Sequence, residues 1–135
     1  MAAVQEFHVA INSDQDIVIA RQKGRAMASE LGFSSSDATF ISTAISELAR
    51  NIVSYARKGQ ITLRAVQGSS RVGILVIASD NGPGIPDIQQ ALRDGFSTSG
   101  SLGLGLPGVR RLMDEFEITS QPGQGTLVAV KKWRQ

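Results

Sequence analysis

The stretch "VGILVIASDNGPGIP", Val72 to Pro86, joins a near-continuous apolar run to an acid and a burst of turn residues. Such a run is typical of a central strand with both faces covered. Asn81-Gly82 would ordinarily mark a two-residue hairpin. Pro83, Gly84 and Pro86 make a poor returning strand, however, because proline has no N–H to give to a ladder. The strand therefore delivers Asp80 to an irregular loop. Either that loop is merely long, or its acid and glycines are placed to meet something.

Upstream, Ile61, Leu63 and Ala65 alternate as a strand after Lys58-Gly59, and Gly68 to Ser70 makes the turn into Val72. Near the start, Phe7, Val9 and Ile11 alternate over Glu6 to Ile11, and Ser13 or Asp14 offers an N-cap. Ile17, Ala20, Gly24, Met27, Ala28 and Leu31 then keep helical spacing, giving a first helix over about 14–31 with Gly32 as its C-cap. Gly24, inside that helix, marks close packing against another element. Ser34 to Ser36 supply a second cap. Ile41, Ala44, Ile45, Leu48 and Ile52 form the stripe of the longest and most apolar helix, running on to about Ala56.

Downstream, a Gly/Ser/Thr-rich stretch from Gly95 to Gly105 leads into helical spacing through Leu106, Val109, Leu112 and Met113. Two strands follow, near Phe116 to Ser120 and Thr126 to Trp133, joined by Pro122-Gly123. Strands grouped in hairpins with helices between them define an α+β fold. The expectation is a two-layer sandwich, a mixed β-sheet with helices on one face, in a single domain over 1–135.

The composition narrows the function classes. With 135 residues, 41% hydrophobic and 19% charged, the chain reads as an ordinary soluble domain. No apolar stretch approaches the roughly 20 residues of a membrane-crossing helix, and no secretory n-region opens the chain. The absence of cysteine excludes disulfides and thiolate metal sites and suits a cytoplasmic location. A net charge of +2, no long basic run, and only five Phe, one Tyr and one Trp argue against nucleic acid as a partner. The expected protein is cytoplasmic, with no membrane and no nucleic acid among its partners.

Chemistry concentrates in three places. In "ISELARN", Ile45 to Asn51, a rotation of about 100° per residue points Glu47 and Asn51 almost the same way, with Asn51 at the border of the apolar stripe. Taken alone, such a pair is most often a solvated helix acid and a satisfied boundary residue. In "GSLGLGLPG", Gly100 to Gly108, glycines precede a helix, where unpaired N–H groups and the helix dipole favour phosphate. Taken alone, this is a flexible turn, and neither the Walker spacing nor a Rossmann first turn fits. The third place is Asp80 with Gly82 and Gly84.

In that order and combination, the chain resembles the GHKL ATP-binding family of histidine kinases, DNA gyrase, Hsp90 and MutL. "ELARN" resembles its N-box, "DNGPGI" its first glycine box, "GLGLPG" its second, and "GQGT" the Gly-Thr element of a late strand. Lacking a phosphoacceptor helix pair or a transducer domain, the chain is similar to the bacterial serine/threonine kinase branch. "SLGLGLPGVRRLMDEFEI" and the terminal "KKW" look like the stressosome switch kinases within it. The lone His8, on a strand, reads as structural.

The resemblance implies a Bergerat fold, ATP and Mg²⁺ as cofactors, and a role for each matching residue. Asp80 would accept a hydrogen bond from the adenine amine, with Gly82 and Gly84 giving the base room. Asn51 would hold Mg²⁺ through its amide oxygen. Gly103, Leu104 and Gly105 would offer N–H groups to the phosphates, and Thr126 a further polar contact. Glu47 would be the general base for an incoming serine hydroxyl. Residues 87–102 would form an ATP lid, with Arg93 its one basic residue. The implied partners are STAS-domain scaffold and antagonist proteins as substrates and a PP2C-type phosphatase as the target once the kinase is released. The alternatives are an anti-sigma-factor kinase that sequesters a sigma factor, and a nucleotide-gated module without chemistry.

Overall fold

The computed structural model describes residues 5–84 and 105–135. Its strands are β1 (Glu6–Ile11), β2 (Gly59–Gln67), β3 (Val72–Asp80), β4 (Glu115–Gln121) and β5 (Gly125–Trp133), in one sheet of order β1-β2-β3-β5-β4. Its helices are α1 (Asp14–Glu30), α2 (Ser35–Asn51) and α3 (Gly105–Leu112), and α2 continues into a π-helical turn over Ile52–Ala56. The fold is α+β, as expected.

The sheet differs from the mixed one anticipated, since every described pairing is antiparallel. β3 and β4 do run in the same direction, but the β4–β5 hairpin is inserted so that β5 stands between them. The second helix also departs from the expected single run to Ala56. Its α-helical part ends at Asn51, and the wider π turn carries the rest of the apolar stripe.

Alternation along the strands builds the core. Val9 and Ile11, Ile61 and Leu63, Ile74, Val76 and Ala78, and Val128 and Val130 are all buried on the helix-facing side. On the other face the register lines up Glu6, Arg64, Leu75, Lys131 and Glu115 in one row across the strands. Arg64, and after it His8, hold the Glu6 carboxyl below the usual carboxylate range by hydrogen bonding to it. His8 also meets Gln60 Nε2 at 2.9 Å and Thr62 Oγ1 at 3.1 Å, so its ring is a cross-strand tie. No helix among the described residues is long and apolar enough to cross a membrane.

Ser34 and Gly32 bound the helices as expected, whereas Ser13 stands at the N-cap of α1 with no side-chain cap bond of its own. Ser34 Oγ accepts the Asp37 N–H at 3.1 Å, and Asp16 accepts the Asn12 N–H at 2.8 Å ahead of α1. Gly32 takes φ +88° just past α1, where the Phe33 N–H reaches back to the Ala28 carbonyl. α2 packs against α1 on one flank and α3 on the other, with the sheet beneath. Burial therefore wraps most of its circumference, taking in Ser42, Ser46 and Glu47 as well as Ala38, Ile41, Ala44, Ile45, Leu48 and Ala49. Ser46 satisfies its hydroxyl within the helix, donating to the Ser42 carbonyl at 3.0 Å.

The α1–α2 contact depends on Gly24, where an added Cβ would collide with Ile45 Cδ1. Gly24→Ala removes a helix penalty of about 1 kcal/mol but overpacks a filled core at a cost of about 1–3 kcal/mol. The single substitution should lower the urea midpoint. In an Ile45→Val background, which deletes the colliding methyl, the same change should raise it, and the same sign in both backgrounds would refute this contact as the reason for glycine.

Candidate functional site

The site forms where the end of α2 meets the end of β3. After Asn51 the π turn widens the backbone spiral, and Arg57 closes it at φ +71°, the one positive φ among the described non-glycine residues. Helix insertions of this kind often mark functional positions. The segment is clamped in two places. Ile52 Cγ2 lies 2.8 Å from where a Cβ on Gly59 would stand, and Ala56 Cβ lies 2.6 Å from that of Gly82. The stretch following Asn51 thus rests directly on the strand ends that flank Asp80.

Asp80 is the last residue of β3, paired with Gly59 of β2 on one side and Thr126 of β5 on the other. Two residues beyond buried Ala78, it shares the helix-facing side of the strand. Its Oδ1 accepts the Gly82 N–H at 2.9 Å, so the Asn81-Gly82 sequence makes a side-chain-capped turn rather than a hairpin. Thr126 lies on the same face, its Oγ1 2.8 Å from Ser120 Oγ. The sheet register therefore brings Asp80 and Thr126, 46 positions apart in the chain, side by side.

The glycines are demanded by the chain itself. Gly84 takes φ +81°, and a Cβ there would strike the Gln121 carbonyl, while the Pro83 carbonyl accepts the Gly123 N–H at 2.7 Å. The space left by the missing side chains of Gly82 and Gly84 is thus occupied by Ala56 and Gln121. Gly125, which sequence reasoning passed over in favour of its neighbour Thr126, is the tightest of the positions around Asp80. It takes φ +95°, and its Cβ would collide with the Asp80 carbonyl and stand 2.8 Å from Asn81 Cα. Gly59 is the second omission, since a Cβ there would collide with the Ser79 carbonyl and stand 3.0 Å from Asp80 Cβ. The signal for both was present, in "KGQ" and "GQGT", but the first was read only as the boundary before a strand and the second only as a Gly-Thr element.

Glu47 sits one helical turn before Asn51 and is 4% exposed, not the solvated acid an isolated Glu/Asn pair would suggest. Its Oε1 accepts a hydrogen bond from Arg50 Nη1 at 2.9 Å, and its Oε2 is buried with no partner among the described residues. Such an oxygen is costly to leave alone. Asn51 is half-buried. Among the described residues no group of three or more acidic, His or Cys side chains could cage a metal. A lone amide oxygen suits a Mg²⁺ ion that takes most of its ligands from phosphates and water.

Gly105 opens α3 at φ +51°, and Leu106, Pro107, Gly108 and Val109 are buried behind it. At the other end of this helix Lys132 Nζ donates to the Leu112 carbonyl at 3.0 Å, capping its negative pole. Gly103, Leu104, Arg93 and the expected lid lie outside the described residues. A cleft of about 380 Å³ lined by Asn12, Ala56, Lys58, Gly59, Gln60, Ser79, Asp80 and Asn81 opens at the same strand ends. Glu47, Asn51, Gly82 and Thr126 do not line it, and Ser79 and Gln60 face away from the helices, so the site is assigned to the helix side of Asp80.

A buried carboxylate and an amide on one helix, an acid at the end of the neighbouring strand, and a glycine-led helix form the layout of an ATP-binding module. Residues 36–134 match the family of histidine kinase-, DNA gyrase B- and HSP90-like ATPases, and the chain belongs to that family. It is 57% identical over 125 residues to the serine/threonine-protein kinase RsbT of Bacillus subtilis (strain 168), covering 93% of this chain and 94% of that one. It is 33% identical over 129 residues to the anti-sigma F factor of Caldanaerobacter subterraneus subsp. tengcongensis, covering 91% and 89% of the two chains. In fold it is similar to the mycobacterial sensor histidine kinase MprB, with a TM-score of 0.56 at 18% identity over 96% of this chain and 99% of that one.

The two glycines of "GQGT" provide a test of the packing around Asp80. Gly123, at φ +79°, has nothing within 4 Å of where a Cβ would stand, so Gly123→Ala should cost only backbone strain of about 1 kcal/mol. Gly125→Ala adds the collision with β3 and should cost about 3 kcal/mol or more, read from urea midpoints. Equal losses at the two positions would refute the close approach.

Proposed function

We propose that this protein is an ATP-dependent serine/threonine protein kinase of a bacterial partner-switching pathway. Its substrates are serine or threonine residues of STAS-domain scaffold and antagonist proteins, and it acts in the cytoplasm. The observation that carries the reading is Glu47, a buried carboxylate with one oxygen unpaired among the described residues, one helical turn from Asn51. Nucleotide binding needs Asp80 and the glycines, but it does not need a buried carboxylate. A module that only binds nucleotide has no use for so costly a group.

In this mechanism the Asp80 carboxylate accepts a hydrogen bond from the adenine amine, its orientation held by the Gly82 N–H. The backbone at Gly103, Leu104 and Gly105 receives the phosphates, and Thr126 adds a polar contact beside Asp80. Asn51 supplies an amide oxygen for Mg²⁺, which when bound neutralises phosphate charge. Glu47 Oε2 takes the proton of the acceptor hydroxyl as its oxygen bonds to the γ-phosphorus and the bond to the ADP oxygen breaks.

Once its substrates are phosphorylated, the kinase is released from them and engages a PP2C-type phosphatase. The other reading, an anti-sigma-factor kinase that binds a sigma factor directly, shares the ATP site. The greater identity to the kinase RsbT than to the anti-sigma F factor favours the first.

Incubation with labelled ATP, Mg²⁺ and candidate STAS-domain proteins should transfer label to one of them. Glu47→Ala should lower transfer by about 10²–10⁴-fold with ATP affinity nearly intact, as measured by calorimetry. Asp80→Asn should instead weaken ATP binding by about 10-fold or more. A Glu47→Ala protein that phosphorylates its partner at the wild-type rate would remove the base assignment, and capture of a sigma factor without any phosphatase would favour the second reading.

A further inference from the structure

We propose that Arg50 is a positioning residue for the phosphotransfer step, acting through Glu47 and on no part of the substrate. The inference rests on the reading of Glu47 as the base. Three residues apart on α2, the two side chains lie on one face of the helix, and Arg50 Nη1 donates to Glu47 Oε1 at 2.9 Å. The Glu47 side chain is 5% exposed and that of Arg50 is 38% exposed, so the guanidinium reaches inward from a half-exposed position to a largely buried carboxylate.

A carboxylate buried to this degree needs a bonded partner to hold its charge. Among the described residues Arg50 is the one hydrogen-bond partner that Glu47 has. The bond settles which oxygen works. Oε1 is tied to the guanidinium, and rotation of the carboxylate would break that tie. Oε2 is therefore the oxygen left without a partner among the described residues. Arginine suits the task because it stays protonated throughout and cannot compete for the proton that Glu47 takes up. The proton moves from the acceptor hydroxyl to Oε2, and the Arg50 bond to Oε1 persists across the step.

The alternative is that Arg50 contacts the phosphates directly, and a double-mutant cycle separates the two. The readout is transfer from MgATP to the STAS-domain protein that takes label from the wild-type kinase. Arg50→Met should lower kcat by about 10-fold or more with KM for ATP within about twofold, because uniform binding is untouched. Arg50→Lys, which can still place one N–H on Oε1, should recover part of the loss. Glu47→Gln should lower kcat by about 100-fold or more, and adding Arg50→Met to it should change the rate by less than about twofold.

A wild-type kcat for Arg50→Met beside a collapsed Glu47→Gln would overturn the inference and leave the base reading standing. An equal loss from Arg50→Met in both backgrounds would also overturn it, placing Arg50 on the substrate. A wild-type rate for Glu47→Gln, or no acceptor labelled by the wild-type protein, would overturn both.

Discussion

Backbone packs against the end of β3 more closely than any side chain on its neighbours would allow. Gly59 on β2, Gly82 on the turn and Gly125 at the start of β5 each lack a Cβ where one would strike Ser79, Ala56 or Asp80. The closeness places Asp80 in register with Thr126 on one side and Gly59 on the other, and it lets Ile52 and Ala56 settle onto the strand ends. Because the π turn begins at the residue after Asn51, what holds the turn also holds Asn51. The end of β3 that carries Asp80 and the end of α2 that carries Asn51 are thus packed into one junction.

The second determinant is the environment of α2. A surface helix buries one stripe, but α2 is enclosed by α1, α3 and the sheet, so polar positions flanking its stripe are buried too. Ser42 and Ser46 answer this by bonding carbonyls of their own helix. Among the described residues Glu47 has Arg50 for one oxygen and no partner for the other. That imbalance is a stability cost, and costs of this kind cluster at sites selected for chemistry.

Much of this was legible without coordinates because it rests on local rules. The Ser34 cap, Gly32 at the end of α1 and the alternation of β2 and β3 follow from hydrogen-bonding capacity and side-chain direction over a few residues. So does the shared direction of Glu47 and Asn51, which needs only the helical angle. The resemblance to the ATPase family added roles that no single motif could carry, since an acid four residues from an amide is ordinary by itself. Gly59, Gly125 and Arg50 escaped notice for the converse reason. Their importance lies in what they meet across the fold, and a glycine before a strand looks the same whether or not a backbone passes within contact of it.

The sequence by itself determined the element types, the apolar faces and the motif order that marks the ATPase family, because periodicity and motif order are properties of the chain alone. Only the tertiary structure decided that β5 would insert beside β3 and make the sheet antiparallel, that α2 would loosen into a π turn after Asn51, and that Glu47 would be buried with one oxygen unpaired among the described residues. Each of these depends on which surfaces meet. Burial and close approach are set by neighbours distant in the chain, and no local pattern records them.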